Sequence, residues 1–163
     1  MHVAAHLKAS LELPTFVVES YLADLTDDEL FLRPAEQMNH IAWQLGHLIA
    51  SEHNQIEQLR PGSMPPLPDG FSAQHSKETS ASESRDGFRT RDEYLRLMQE
   101  QRAGALAVLE SLTDEELMAP GPEGLHYFGP TVGCIFAGQA THWMMHAGQW
   151  AVVRRGLGKP PLF

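Results

Sequence analysis

Apolar side chains recur every three or four residues through most of this chain, and no stretch shows the polar and apolar alternation of a half-buried strand. The pattern therefore predicts an all-α protein. The apolar stripes are long enough for four helices, over about residues 3–25, 39–60, 90–112 and 131–156. Because each helix must bury one stripe against the others, we expect an antiparallel four-helix bundle, formed as a single domain by residues 1–163.

Proline and capping residues set the boundaries of these helices. Pro14 lies inside the first helix and predicts a kink or a break just before it, because proline lacks a backbone donor. Thr90 and Glu93 have the spacing of a capping box and mark the start of the third helix. Proline, glycine and serine are frequent from Pro61 to Phe88, a segment of about 28 residues that we expect to be a mobile lid or partly disordered.

Composition excludes several classes of function. The chain has 21 acidic and 12 basic residues, a net charge of −9, and no basic cluster beyond Arg154 and Arg155, which argues against nucleic-acid binding. No apolar run is long enough for a membrane span, and the first residues do not resemble a signal peptide, so we expect a cytoplasmic protein. Cys134 is the single cysteine, which excludes an internal disulfide; we interpret it as a small core residue. Nine histidines are the unusual feature, and they point to imidazole chemistry.

A short acidic segment occurs twice. Residues 25–30 read Leu-Thr-Asp-Asp-Glu-Leu and residues 112–117 read Leu-Thr-Asp-Glu-Glu-Leu, and each copy precedes a turn-rich linker and a helix that carries histidine. The repeat fits a duplicated helical pair, but Thr-Asp-Glu starts many helices, so a chance match is the alternative.

The fourth helix carries the pair that best fits a metal site. His142 and His146 lie four residues apart on the buried face, so both imidazoles can reach one ion. Two buried histidines that hydrogen-bond to neighbouring helices are the alternative. Any of the other seven histidines could supply the third ligand. Helical periodicity does not select His47, because the apolar stripe of the second helix lies on another face.

Two segments resemble the signatures of a known family. Gly46-His-Leu-Ile-Ala-Ser-Glu52 and His142-Trp-Met-Met-His-Ala-Gly-Gln149 are similar to motifs of the DinB/YfiT-like superfamily. The resemblance implies a four-helix bundle in which His47, His142 and His146 hold a divalent metal ion, zinc or nickel. It also implies a homodimer and a thiol-dependent S-transferase, which acts on a small molecule with a low-molecular-weight thiol.

Other polar side chains are candidates for supporting roles. Around the ligands, Glu52, Gln139, Thr141 and Gln149 are the candidates for second-layer hydrogen bonds. The alternative for each is an exposed or helix-satisfied polar group, which is the favoured interpretation for Thr141. Glu52 and His40 are the candidate catalytic groups, Glu52 as a base and His40 as a proton carrier at the pocket mouth or, alternatively, a solvated side chain. Two rival functions remain: a metal-dependent hydrolase that uses one of these groups, and a non-catalytic metal-binding stress-response bundle.

Overall fold

A computed structural model describes residues 2–82 and 84–163. Their regular secondary structure is helical, which confirms the all-α prediction, and an isolated bridge joins Pro120 to Thr131. In chain order the α-helices are α1 (Val3–Leu22), α2 (Ile41–Leu59), α3 (Phe71–Gln74), α4 (Arg91–Ser111), α5 (Asp114–Met118) and α6 (Val132–Gly156). Three short 3-10 turns span residues 29–31, 77–79 and 123–128. Within the described residues, no helix combines the length and apolarity that crossing a bilayer needs.

The four long helices form a bundle, but they do not all run antiparallel to their neighbours. Helix α1 packs against α6 and α4, and α2 packs against α4 and α6, so the consecutive long helices α1 and α2 lie on a diagonal. Side-chain contacts show that α1/α4 and α2/α6 are antiparallel, whereas α1/α6 and α2/α4 are parallel. In the antiparallel pairs, α1 meets α4 at Lys8–Glu110 and Glu19–Gln99, and α2 meets α6 at Gln44–Gln149 and Glu52–Trp143. In the parallel pairs, α1 meets α6 at Leu7–Gly133 and Tyr21–Arg154, and α2 meets α4 at Glu52–Arg102 and Arg60–Ser111. The predicted bundle is confirmed, and the antiparallel arrangement holds for two of its four neighbouring pairs.

The parallel pair explains the long segment between α2 and α4. A chain that leaves the end of α2 must return along about 30 Å, the length of a 20-residue helix, before α4 can begin beside the start of α2. Residues 61–88 make this crossover. They include α3 and a 3-10 turn, and Phe71 and His75 are buried in the bundle. Part of this segment is therefore folded against the core, through Phe71 and His75, while the expectation that it moves as a lid stays a prediction.

Helix α1 runs through Pro14 without a break, so of the predicted kink or break the break is wrong. The proline ring is buried, so packing on one face favours the helix over a break. In the turn before it, the backbone oxygen of Leu11 accepts hydrogen bonds from the Thr15 hydroxyl at 3.0 Å and from Arg102 Nη1 at 3.0 Å. These bonds tie the proline-containing turn to α4.

Reciprocal capping bonds begin α4 as predicted. The Thr90 hydroxyl accepts from the Glu93 backbone N–H, and the Glu93 carboxylate accepts from the Thr90 N–H. The same box occurs in both copies of the repeated acidic segment, at Thr26 with Glu29 and at Thr113 with Glu116. The repeat therefore has a common local structure, and a duplicated origin stays a prediction.

A buried ion pair separates two apolar halves of the core. Arg102 Nη2 donates to Glu52 Oε2 at 2.9 Å, and Arg102 Nε lies 2.9 Å from Glu52 Oε1. Trp143 Nε1 donates to Glu52 Oε2 at 2.8 Å. One apolar cluster includes Leu48 and Trp143, the other includes Ile56, and Glu52 lies between Leu48 and Ile56 on α2. Through Arg102 and its bond to α1, this network joins the four long helices.

Replacing Arg102 by methionine should destabilise the protein strongly. Arg102→Met leaves the Glu52 carboxylate buried with no cation, and we expect the free energy of unfolding to fall by about 3–5 kcal/mol in urea denaturation. The double variant Glu52→Gln/Arg102→Met removes both charges and should recover most of the loss.

Arg96→Met is the matched control, because Arg96 is on the same helix and forms an exposed pair with Glu100. Its effect should be no more than about 0.5 kcal/mol. Equal effects of Arg102→Met and Arg96→Met would show that the buried pair does not stabilise the bundle.

Candidate metal centre

The three histidines that the motifs indicate lie together between α2 and α6. Each offers a ring nitrogen, and these atoms lie within 4.8 Å of one another. The ring centroids of His142 and His146 are 5.0 Å apart, and the His47 ring is 5.2 Å from His142 and 5.7 Å from His146. Three imidazole nitrogens gathered in this way match the ligand number of a zinc site that keeps one coordination position open.

Burial keeps all three imidazoles in the form that binds metal. It lowers the pKa of His142 and His146 to about 4, with a smaller contribution from neighbouring imidazoles. Burial and the positive charge of Lys77 also lower the pKa of His47. Because a metal ligand must offer an unprotonated nitrogen, near neutral pH the cluster is ready to bind a cation.

Gln44 fixes the orientation of His146. Its Oε1 accepts from His146 Nδ1 at 2.8 Å and from Trp150 Nε1 at 2.8 Å. Its Nε2 donates to the Asn39 backbone oxygen at 2.6 Å and to Gln149 Oε1 at 3.1 Å, which sets the direction of the amide. With the proton on Nδ1, the lone pair of His146 is on Nε2, the nitrogen available to an ion.

The other side of the centre is held by the crossover. The Trp43 ring stacks on His47, with centroids 5.0 Å apart and planes at 8°, and Trp43 Nε1 donates to the Thr79 hydroxyl at 3.2 Å. The ring of His75 lies against Gly46, where a Cβ atom would collide with it. Glycine at this position therefore lets the crossover approach α2 directly beside His47.

A cavity of about 620 Å³ opens beside His47 and His142. It lies between α2, α6 and the turn at residues 123–128. Its lining consists of His47, Ser51, Gln55, Tyr127, Phe128, Ala137, Gly138, Thr141, His142 and Met145. None of these described lining residues is Asp, Glu, Lys or Arg, so the cavity next to the histidines is uncharged apart from the imidazoles.

The two candidate catalytic groups do not line this cavity. The carboxylate of Glu52 is buried and bound by Arg102 and Trp143, which fits a structural role instead of general-base chemistry. His40 is neither solvated nor at the pocket mouth. It is buried, it caps α2 by accepting from the Trp43 N–H at 3.1 Å, and burial and nearby Arg33 lower its pKa to about 4.

The remaining predicted supporting residues have mixed placements. Gln149 reaches the centre indirectly, through Gln44. Thr141 lines the cavity, and its hydroxyl donates a hydrogen bond to the Ala137 backbone oxygen at 3.1 Å. Gln139 is buried, and neither of its side-chain polar atoms has a hydrogen-bond partner among the described residues. Cys134 is half-buried beside the Thr131 hydroxyl, so it is less enclosed than a core residue.

Sequence reasoning missed Gln44, which makes the closest hydrogen bond to a candidate ligand. The available signal was its position: Gln44 precedes His47 by one helical turn, at the edge of the apolar stripe of α2. A polar residue at such an edge is a candidate for a buried hydrogen bond.

Comparison with known proteins gives the same family as the resemblance of the two histidine-containing segments. A family profile described as the DinB superfamily matches residues 17–150, which include all three histidines. The chain belongs to the DinB superfamily. No curated protein matches this DinB chain significantly in sequence.

Two solved structures share the fold of this DinB protein. A conserved protein from Enterococcus faecalis is 22% identical, with a TM-score of 0.63, over 98% of this chain and 99% of the other. YfiT from Bacillus subtilis is 16% identical, with a TM-score of 0.64, over 96% of this chain and 89% of its own. YfiT is described as a probable metal-dependent hydrolase with an unusual four-helix bundle topology. At these identities the similarity shows the fold alone.

Removal of one imidazole should abolish stable metal binding. Wild-type protein should carry about one divalent ion per chain in elemental analysis, and His142→Ala should carry none after dialysis, because two histidines are left. His6→Ala is the control, since His6 is an exposed histidine outside the cluster. Equal metal contents of the two variants would exclude this site.

Loss of the Gln44 amide should weaken metal binding without removing a ligand. We expect Gln44→Ala to lower zinc affinity by about 10–100-fold in competition with a chromophoric chelator, because the orientation and tautomer of His146 are no longer fixed. Trp150→Phe removes the other donor to the same Gln44 oxygen and leaves the His146 bond in place. It should lower stability but retain zinc affinity; an equal loss of affinity in both variants would assign the effect to general loosening.

Proposed function

We propose that this DinB protein is a divalent-metal-dependent enzyme that joins the sulfur of a low-molecular-weight thiol to a carbon of a small electrophile. The S–H bond breaks and an S–C bond forms; the thiol proton passes to solvent, and the electrophile releases its leaving group as an anion. His47, His142 and His146 hold the ion, either zinc or nickel. The observation that carries the proposal is the combination of a three-histidine cluster with an adjacent cavity that none of the described carboxylates lines.

The donor set fits a divalent transition metal. Imidazole suits zinc and nickel, and three protein ligands leave a coordination position for a small molecule. The depressed pKa values of His142 and His146 and the bond from His146 to Gln44 favour the neutral, correctly oriented ligands that such an ion requires. An ion held by these residues would lower the pKa of a thiol or water molecule and would so supply a nucleophile at neutral pH.

The protein's own groups favour thiol chemistry over hydrolysis. A thiol has a pKa of about 8.5, so it needs only modest acidification, and its proton can leave to solvent. A water nucleophile is far less acidic and gains from a positioned base. The carboxylate nearest in sequence, Glu52, is bound to Arg102, and His40 caps a helix away from the cavity. In this proposal the cavity side chains therefore bind and orient the electrophile and exclude water around the histidines.

A metal-dependent hydrolase is the second candidate, because the structurally similar YfiT is described as a probable metal-dependent hydrolase. The same three histidines would serve it. The homodimer and the cytoplasmic location stay predictions from the sequence and from the resemblance.

The two candidates separate in a paired activity assay. Protein reconstituted with zinc or nickel should consume low-molecular-weight thiols in the presence of 1-chloro-2,4-dinitrobenzene, and it should cleave nitrophenyl esters and amides no faster than buffer does. The thiol activity should disappear in His142→Ala and persist in His6→Ala, since the first variant loses a ligand and the second does not.

The opposite pattern, with ester or amide cleavage that depends on His142 and no thiol consumption, would select the hydrolase. Metal bound at the cluster without turnover in either assay would select the non-catalytic metal-binding bundle.

A further inference from the structure

The cavity is an elongated groove with the candidate metal centre at one end. On α2 it is lined by His47, Ser51 and Gln55, which follow one another at four-residue intervals along one helix face. Eight residues of α-helix advance about 12 Å. Because α6 runs antiparallel to α2, its lining residues His142 and Gly138 progress in the same direction, away from the centre.

Two aromatic side chains form the far end of this groove. Tyr127 and Phe128 lie on the 3-10 turn before α6, with ring centroids 4.3 Å apart, and both line the cavity. The Phe128 ring rests against Gly138, where a Cβ atom would overlap it. The turn is closed at its base, because the Val132 N–H donates to the Ala119 backbone oxygen at 3.0 Å. Phe128 is therefore held in place by α6 and by the closed turn, whereas Tyr127 is 69% exposed and contacts Phe128 and Gln55.

The far end also contains an unsatisfied acceptor. Gln55 is only 6% exposed and lines the groove, and its Nε2 donates to the Tyr127 hydroxyl at 3.3 Å. Its Oε1 has no hydrogen-bond partner among the described residues. Buried polar atoms are normally paired, so this oxygen suits an N–H or O–H group of a bound molecule.

We propose that the groove is the binding site for the electrophile, an uncharged and largely apolar aromatic molecule that carries a hydrogen-bond donor. Tyr127 and Phe128 are its specificity-determining residues, and they hold the end of the molecule that is remote from the histidines. This inference rests on the proposed function, because it assigns the groove to one of the two substrates of the transferase.

Charge assigns the groove to the electrophile instead of the thiol. Thiols of the glutathione kind carry carboxylates, and a carboxylate at the end of the groove remote from the histidines would lose its hydration without a neighbouring cation. Neither lysine nor arginine occurs among the described groove-lining residues. The binding of an aromatic group is favoured by stacking on Tyr127 and Phe128 and by the removal of its apolar surface from water.

Fluorescence titration with two matched probes tests the inference without turnover. N-phenyl-1-naphthylamine is neutral, apolar and carries one N–H donor, and 1-anilinonaphthalene-8-sulfonate is the same molecule with a negative charge. The neutral probe should bind at least about tenfold more tightly, because the sulfonate would lose its hydration in a groove with no lysine or arginine in its described lining. 1-Chloro-2,4-dinitrobenzene is an uncharged aromatic electrophile without a donor; added without thiol, it should still displace the neutral probe, because stacking on Tyr127 and Phe128 does not need the bond to Gln55.

Glycine variants supply a matched control on one helix. Gly138→Ala forces the Phe128 ring out of position and should weaken binding of the neutral probe by about tenfold, as should Tyr127→Ala. Gly148→Ala should not change the affinity, because a Cβ atom at this exposed position meets no neighbour within 4 Å. Thermal denaturation confirms folding of each variant, and Tyr127→Ala tests the assignment even where Gly138→Ala does not fold.

Tighter binding of the sulfonate probe, or equal affinities of wild type and Tyr127→Ala, would overturn the assignment. Probe binding needs neither metal nor thiol, so its failure is distinct from failure of the transferase proposal. If the probes bind as expected but the protein consumes no thiol, the transferase proposal is rejected and the aromatic-binding groove is kept. If the protein consumes thiol but Tyr127→Ala binds the neutral probe as tightly as wild type, the transferase proposal is kept and the assignment of the groove is rejected.

Discussion

The arrangement of the bundle depends on the ion pair and hydrogen bonds of the buried Glu52 carboxylate. A buried carboxylate is costly unless its partners are all in place, and here the partners come from α4 and α6, while Arg102 extends the network to α1. Apolar packing alone tolerates small slips between helices, but hydrogen bonds to one carboxylate do not. The network lies between the two apolar clusters, so it sets how far each helix is shifted along the others.

That register determines whether a metal centre can exist. Glu52 follows His47 by five residues on α2, and its partner Trp143 is adjacent to His142 on α6. A slip of one turn, about 5.4 Å, would move the His47 ring away from the other two. Gln44 makes a second bridge between the same helices, through His146 and Trp150. The candidate ligands therefore lie between two polar cross-links, and the ring of His146 is oriented before any ion binds.

The sequence predicted those features that depend on one helix at a time. Capping at Thr90 and the shared face of His142 and His146 follow from local spacing, and both are seen in the structure. His47 came only from the family resemblance, because the apolar stripe of α2 lies on another face of the helix. The roles of Glu52 and His40 depend on contacts with other residues, so the sequence did not predict them. A helical wheel shows which side a residue faces but not which partner it meets. The parallel α2/α4 pair was hidden for the same reason.

The crossover connects the topology of the bundle with the chemistry of the centre. Two parallel neighbours require a return segment as long as a helix, and residues 61–88 supply it. Because this segment passes over the start of α2, its Thr79 binds Trp43, which stacks on His47, and its His75 packs on Gly46. One side of the histidine cluster is thus closed by the crossover, while the groove towards Tyr127 stays open on the other. The crossover covers the histidines on one side and leaves the groove beside them, so an electrophile bound there would approach the histidines from the end formed by Tyr127 and Phe128.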